Sequence, residues 1–111
     1  MHYSIRDLVL VPVPFTDLST NKQRPGLIIY KAIMNDILIM PLTSNLSESL
    51  EGELLTEVDF ETGHILKPSK ILYMKIFTIA ESKIIKKFAK LNKVKFQSLI
   101  DHLYNNLQKF N

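Results

Sequence analysis

The chain has no cysteine and only three glycines among its 111 residues. The lack of cysteine excludes disulfides, thiolate metal sites and cysteine nucleophiles. The few glycines form no Gly-rich loop and no Gly-Lys-Ser/Thr sequence of the kind that cradles nucleotide phosphates. Histidine occurs only as His2, His64 and His102, and their separation in the sequence matches no metal-ligand spacing. We therefore expect no metal and no cofactor.

Long hydrophobic runs are also missing. The longest, from Leu8 to Pro14 and from Pro25 to Tyr30, are far shorter than the roughly 18 to 20 residues that a membrane-spanning helix needs. The segment from Met1 to Ser4 lacks the basic start and the small-residue cleavage site of a secretory signal. Apolar residues at 46% and charged residues at 23% are typical of a globular chain. We expect one cytoplasmic domain that spans residues 1–111.

Charge is distributed unevenly along the chain, although the net charge is only +3. The segment from Glu48 to Glu61 holds six carboxylates and no cation, whereas the segment from Lys67 to Lys95 holds nine lysines and one acidic residue, Glu81. One interpretation of the basic segment is a face for a phosphate backbone. The other is a set of solvated lysines on strand edges, where they oppose aggregation. Charge alone favours the second interpretation.

Hydrophobic patterns predict a run of short strands followed by one helix. The predicted strands are Asp7–Val13, Pro25–Tyr30, Asp36–Thr43, Glu53–Thr56, Ile65–Ile79 and Ile84–Phe88. The segment from Asp59 to His64 is predicted to be a polar turn. After Asn92, which suits an N-cap, apolar residues recur in steps of three and four. This order favours a mainly β fold, a small barrel at about residues 5–90 with a packed C-terminal helix at about residues 93–109.

Polar residues gather at the ends of the first three predicted strands. They are Thr16, Asp17, Ser19, Lys22, Gln23 and Arg24 in the first long loop, and Thr43, Ser44 and Asn45 after the third strand. Long ordered loops in small domains are usually functional. If the second and third strands pair as a hairpin, Arg24 and Thr43 lie at the same end of the sheet and become neighbours.

These polar residues allow two interpretations each. Arg24 is one of two arginines in the chain, and its planar guanidinium suits a phosphate. The alternative is a salt bridge to Asp17 or to another loop carboxylate, and spacing alone does not decide between the two. For Thr43 and Ser44 the alternative to chemistry is capping of the following turn, which the residue types favour.

The opening third of the chain resembles the signature of MazF/PemK-type toxins. The resemblance is carried by Arg6-Asp-Leu-Val-Leu-Val-Pro-Val-Pro-Phe-Thr-Asp-Leu-Ser19 and Lys22-Gln-Arg-Pro-Gly-Leu-Ile-Ile29. Later segments are similar too, namely Pro41-Leu-Thr-Ser-Asn45, Leu66-Lys-Pro-Ser69 and Lys75-Ile-Phe-Thr-Ile79. Three positions depart from the pattern, because Arg6 and Ala89 stand where the family has glycine and Ala80 stands where it has an acidic residue. The resemblance runs from Asp7 to Leu107.

This resemblance implies an SH3-like β-barrel of the MazF/PemK/CcdB type that forms a homodimer. It implies the toxin component of a type II toxin–antitoxin system, a metal-independent, sequence-specific endoribonuclease (an mRNA interferase) that cleaves single-stranded RNA and is inhibited by a cognate antitoxin protein. Arg24 and Thr43 match the catalytic positions at the scissile phosphate. The implied RNA-binding residues are Phe15, Thr16, Asp17, Ser19, Lys22, Gln23, Ser44, Asn45, Lys67 and Ser69.

The expected mechanism is attack of the ribose 2′-OH on the adjacent phosphorus. In it Arg24 stabilises charge on the phosphorane and Thr43 binds a phosphate oxygen. Phe15 stacks on an unpaired base or belongs to the core. Guanidinium is a poor base at neutral pH and no histidine is expected in the pocket, so the base stays unassigned. The alternative functions are a CcdB-like poison of DNA gyrase and a catalytically silent module that binds RNA or antitoxin.

Overall fold

The computed structural model describes residues 2–12, 23–47 and 51–109. They form eight strands and one α-helix: β1 (Asp7–Pro12), β2 (Gln23–Lys31), β3 (Asp36–Thr43), β4 (Glu53–Leu55), β5 (Phe60–Gly63), β6 (Ser69–Ile71), β7 (Phe77–Ala80), β8 (Lys86–Leu91) and α1 (Lys93–Gln108). The fold is mainly β with a C-terminal helix, as predicted. In the part of the chain that the structure describes, no helix has the length and apolarity that crossing a membrane requires.

The strands form one curled antiparallel sheet in the order β4-β6-β3-β2-β1-β8-β5. Strand β3 changes partner along its length, because Asp36–Ile39 pair with β7 whereas Leu42 and Thr43 pair with β6. Strand β1 lies between β2 and β8 and pairs with both. The sheet therefore bends around its own interior, which is the arrangement of a small SH3-like barrel.

Both faces of β1 are buried. Leu8 belongs to a cluster that reaches α1 through Leu99, and both side chains are fully buried. Val9 and Val11 face the other way, into a second cluster with Ile28. A strand that is covered on both sides lies at the centre of the fold, where a fully buried aliphatic side chain contributes about 1.5–3 kcal/mol.

Helix α1 is held by its first turn and by Glu53. Asn92 caps the helix, since its side chain accepts a hydrogen bond from the Lys95 backbone N–H at 2.7 Å. The Lys95 ammonium lies 2.8 Å from Glu53, and the Ser98 hydroxyl donates to the same carboxylate at 3.1 Å. Beside them, burial first and the Glu51 carboxylate second raise the pKa of Tyr73. The helical period therefore gave the correct element and the correct N-cap.

The prediction of one strand from Ile65 to Ile79 is wrong, because the structure has two short strands there, β6 and β7. Between them the chain turns, with the Lys75 N–H donating to the Leu72 carbonyl at 3.0 Å. Leu72 to Ile76, between the two strands, include the buried side chains Leu72 and Tyr73 but lie outside the sheet ladder. Apolar residues on both sides of the segment concealed this break.

The polar turn predicted for Asp59 to His64 is also a strand in part. Phe60–Gly63 form β5, which pairs with β8 at the edge of the sheet. This strand is mostly exposed, and its backbone rather than its side chains holds it in place. A strand held in this way has no apolar alternation, and its sequence therefore resembles a turn.

Arg6 explains why the family pattern has a glycine before Asp7. Its φ is +79°, in the left-handed region that favours glycine. The Arg6 guanidinium donates to the Leu91 carbonyl at 2.8 Å and pairs with Glu61 at 3.0 Å. The hydrogen bond that Arg6 donates to Glu61 lowers the pKa of the Glu61 carboxyl. The side chain thus joins β1 to β5 and β8 at the cost of a strained backbone.

Comparison of Arg6→Gly with Arg6→Ala separates the backbone strain from the side-chain contacts. Both variants lose the guanidinium contacts, but only glycine relieves the left-handed conformation. We expect the alanine variant to unfold more easily by about 1 kcal/mol, measured as the free energy of unfolding in urea. Equal stability of the two variants would show that the backbone at this position carries no strain.

Candidate functional site

Strand pairing brings Arg24 and Thr43 to one end of the sheet. Strands β2 and β3 pair with Gly26 opposite Pro41 and Leu27 opposite Met40. Arg24 lies two residues before Gly26, and Thr43 two residues after Pro41. The predicted hairpin therefore forms, and it places the two residues at corresponding positions of neighbouring strands.

A cleft of about 560 Å³ opens at this end of the sheet. Its apolar lining residues are Leu10, Pro25, Leu42, Ile65, Leu66 and Phe88, and its polar and charged lining residues are Gln23, Arg24, Ser44, His64, Lys67, Ser69 and Lys86. Strand β1 organises the centre, because Leu10 pairs with Pro25 of β2 on one side and with Lys86 of β8 on the other. The cleft thus combines apolar surface with cations.

The predicted site residues divide into three groups. Gln23, Arg24, Ser44, Lys67 and Ser69 line the cleft together. Thr43 is 7% exposed and does not line the cleft itself, although its neighbour Ser44 does, while Asn45 is exposed in the turn that follows. Phe15, Thr16, Asp17, Ser19 and Lys22 lie outside the described residues.

Thr43 also begins the turn after β3, as the capping interpretation predicts. Its Oγ1 accepts a hydrogen bond from the Asn45 backbone N–H at 3.1 Å. The Asn45 side-chain oxygen in turn accepts hydrogen bonds from the Ser47 backbone N–H at 3.2 Å and from its hydroxyl at 2.6 Å. A hydroxyl that accepts through oxygen still has its own hydrogen to donate. The capping role is therefore compatible with a phosphate contact by Thr43.

Some cations of the lysine-rich segment pair with carboxylates of the fold, and others line the cleft. Lys87 and Lys90 lie 3.3 and 3.4 Å from the carboxylate of Asp7, which is fully buried. Lys95 pairs with Glu53. Each of these lysines forms an ion pair within the fold, with Lys87 and Lys90 sharing the one carboxylate of Asp7. These three lysines therefore fit neither of the two interpretations of the basic segment, solvated lysines on strand edges or a face for a phosphate backbone.

Three other cations, Arg24, Lys67 and Lys86, line the cleft. Within the described ranges, no carboxylate lies among the cleft-lining residues, and none forms an ion pair with these three. The salt bridge to Asp17 considered for Arg24 involves a residue outside those ranges. The cleft is therefore positively charged where the structure describes it, and it favours an anionic ligand.

Sequence reasoning missed His64, Lys86 and Phe88 as lining residues. Their place in the cleft depends on the pairing of β8 with β1 and β5, which joins segments far apart in the chain. The strand pattern around Ile84 to Phe88 was the available signal, but it does not identify the partner strand. Among the described residues, no three His, Asp or Glu side chains lie together in a way that could hold a metal ion.

Gly63 positions the segment that carries His64. Its φ is +76°, and a Cβ added there would lie 2.5 Å from the Phe88 carbonyl oxygen and 2.8 Å from the Ala89 Cβ. Gly63 pairs directly with Ala89 across the β5–β8 ladder. In this chain the small residue needed for close approach thus stands on β5, opposite the alanine that replaces the glycine of the family pattern.

Two solved structures resemble this architecture. The Mycobacterium tuberculosis toxin MazF-mt6 matches with a TM-score of 0.70 at 15% identity, covering 93% of this chain and 97% of that chain. An endoribonuclease in complex with its cognate antitoxin, from Mycobacterial species, matches with a TM-score of 0.61 at 14% identity, covering 96% and 93%. The fold is therefore the MazF-like fold.

The sequence comparison identifies the family. No curated protein matches the chain. The profile of the PemK-like, MazF-like toxins of type II toxin–antitoxin systems matches residues 5–107, which is nearly the whole chain. The chain belongs to this toxin family, as the resemblance in its opening third predicted.

Replacement of Gly63 by alanine should destabilise the protein by about 2–4 kcal/mol, because the added methyl group meets backbone atoms and φ stays positive. Urea unfolding measures the effect. The double variant Gly63→Ala with Ala89→Gly should recover only a small part of the loss, since the Phe88 carbonyl oxygen remains the nearest atom. Full recovery would mean that the two side chains alone set the spacing of β5 and β8.

Proposed function

We propose that this toxin is an endoribonuclease that cleaves single-stranded RNA in the cleft at the ends of β2 and β3. The proposal rests on one observation. Three cations and an apolar surface line the same cleft, and none of its described lining residues is a carboxylate. Membership of the toxin family supports it, as does the similarity in fold to a protein described as an endoribonuclease.

The composition of the cleft suits a nucleotide strand. Arg24, Lys67 and Lys86 offer cationic groups to phosphates, and Arg24 adds the planar fork that binds two phosphate oxygens at once. Leu10, Leu66 and other apolar side chains offer a surface against which an unstacked base packs. Bases are available for such packing in single strands and not in a duplex, so a single-stranded substrate fits this lining.

The reaction that fits these residues is attack of a ribose 2′-OH on the adjacent phosphorus, which restricts cleavage to RNA. Arg24 holds the scissile phosphate and stabilises the charge that develops on the phosphorane. Thr43, at the corresponding position of β3 and directly before the cleft-lining Ser44, donates its hydroxyl hydrogen to a phosphate oxygen at the wall of the cleft in this scheme. In this scheme protein cations stabilise the developing charge, and we propose that no metal ion takes part.

The remaining predicted residues act in binding in this proposal. Ser44, Ser69 and Gln23 offer hydrogen bonds along the cleft, and Asn45 shapes the turn beside it. Lys67 and Lys86 hold phosphates that flank the cleaved one. The sequence preference would come from base contacts in the loops rather than from these phosphate contacts.

We further propose that a cognate antitoxin chain regulates this toxin and that the toxin is a cytoplasmic homodimer. The similar fold of an endoribonuclease in complex with its cognate antitoxin supports the first part. An antitoxin that carries acidic side chains into the cationic cleft would exclude RNA by occupying the same phosphate-binding groups.

Substitution of Arg24 tests the catalytic assignment. Arg24→Ala should lower the cleavage rate of a single-stranded RNA by at least about a hundredfold, because the developing charge loses its main stabilising group. Arg24→Lys keeps the charge but loses the bidentate fork and should recover only part of the rate. The measurement is single-turnover cleavage in the presence of a chelator, with the fragment ends identified as cyclic phosphate and 5′-hydroxyl.

The matched control is Lys83→Ala, which removes an exposed cation from the turn after β7, away from the cleft. It should cleave at the wild-type rate, and all these variants should keep the wild-type melting temperature. Wild-type activity in Arg24→Ala would contradict the assignment. RNA that wild-type protein binds but leaves intact would identify an RNA-binding module, and loss of cleavage in chelator would contradict metal independence.

Neighbouring lysines on β8 test the charge of the cleft. Lys86→Ala should weaken RNA binding and reduce the slope of log affinity against log salt by about one, because one phosphate contact is lost. Lys87→Ala, the adjacent control, removes a cation that pairs with the buried Asp7 instead. It should leave the salt slope unchanged. Equal salt slopes for the two variants would show that Lys86 does not contact RNA phosphates.

A further inference from the structure

Cleavage by a 2′-OH needs a group that takes the proton from the attacking oxygen. Arginine and lysine are protonated at neutral pH, and serine hydroxyls and glutamine amides are not bases. Among the described residues that line the cleft, only His64 carries an imidazole, the side chain that serves most often as a general base. We propose that His64 is the general base of the RNA cleavage proposed above, an inference that rests on that function.

The fold holds His64 at the wall of the cleft. It follows directly after Gly63, the last residue of β5, where the chain is pressed against Phe88 and Ala89 of β8. Phe88 lines the cleft as well, so the contact of Gly63 with β8 holds the start of the His64 segment beside the cleft. His64 to Lys67 then line the cleft without interruption.

The charged groups that line the described cleft together with His64 come from three parts of the fold. They are Arg24 from β2, Lys67 from its own segment and Lys86 from β8, and all three are cations. The described part of the cleft contains no carboxylate that would hold an imidazolium in place.

The proposed step balances in atoms and charge. A neutral imidazole nitrogen takes the 2′-OH proton while the 2′-oxygen forms a bond to phosphorus. The bond between phosphorus and the 5′-oxygen breaks, and its electron pair stays on the 5′-oxygen. That oxygen takes a proton from solvent water, and the imidazolium returns its proton to solvent. The products are a 2′,3′-cyclic phosphate and a 5′-hydroxyl end.

The test compares His64→Gln and His64→Ala with a control, His2→Gln, whose histidine is exposed outside the cleft. Single-turnover cleavage of single-stranded RNA should fall by about 10²–10⁴-fold in both His64 variants. Binding of a non-cleavable 2′-deoxy analogue and the melting temperature should stay at wild-type values. The cleavage rate of the wild-type protein should rise with pH, because a general base acts in its unprotonated form. This rise with pH should be absent in His64→Gln.

Chemical rescue gives a second measurement, which would show no effect if His64 had only a structural role. Free imidazole in solution should restore part of the cleavage rate of His64→Ala and should not affect the wild-type protein. The proposal is overturned if the His64 variants cleave at the wild-type rate, or if they lose activity but keep the wild-type pH profile. It is also overturned if imidazole fails to rescue His64→Ala.

The outcomes also separate this inference from the function on which it rests. Wild-type protein that leaves RNA intact overturns the proposed endoribonuclease and the role of His64 together. Cleavage by the wild-type protein that is lost in Arg24→Ala but kept in His64→Gln overturns only the inference. In that case the proton is accepted by a group other than His64.

Discussion

The pairing of β1 with both β2 and β8 is the constraint on which the rest of the molecule depends. Through it, Leu10 has Pro25 on one side and Lys86 on the other, although these two residues are far apart in the sequence. The same strand carries Asp7 into the interior, where its carboxylate pairs with two lysines of β8. The shape of the cleft and the stability of its walls therefore have one common origin.

Charge in the cleft depends on which lysines the fold leaves without a partner. Burial of the Asp7 carboxylate requires compensation, and Lys87 and Lys90 supply it. Lys86, their neighbour on the same strand, forms no ion pair among the described residues and lines the cleft instead. Adjacent residues of the same type thus have different tasks, and the count of basic residues in the segment did not reveal this.

The sequence predicted those parts of the fold that depend on neighbouring residues. The hairpin of β2 and β3 and the helix after Asn92 follow from local patterns, and they were enough to bring Arg24 and Thr43 together. His64 and Lys86 were missed because their positions depend on long-range pairing with β8. A strand pattern shows that a strand exists but not which strand it pairs with.

The order of the cleft-lining residues along the chain has a consequence for synthesis on the ribosome. Leu10 lies near the start of the chain, whereas Lys86 and Phe88 lie on the last strand, directly before the helix. Contacts between such distant segments form only when both are present. A nascent chain therefore has no complete cleft while β8 is still inside the exit tunnel. The finished cleft therefore forms only after translation has passed β8 and this strand has left the tunnel.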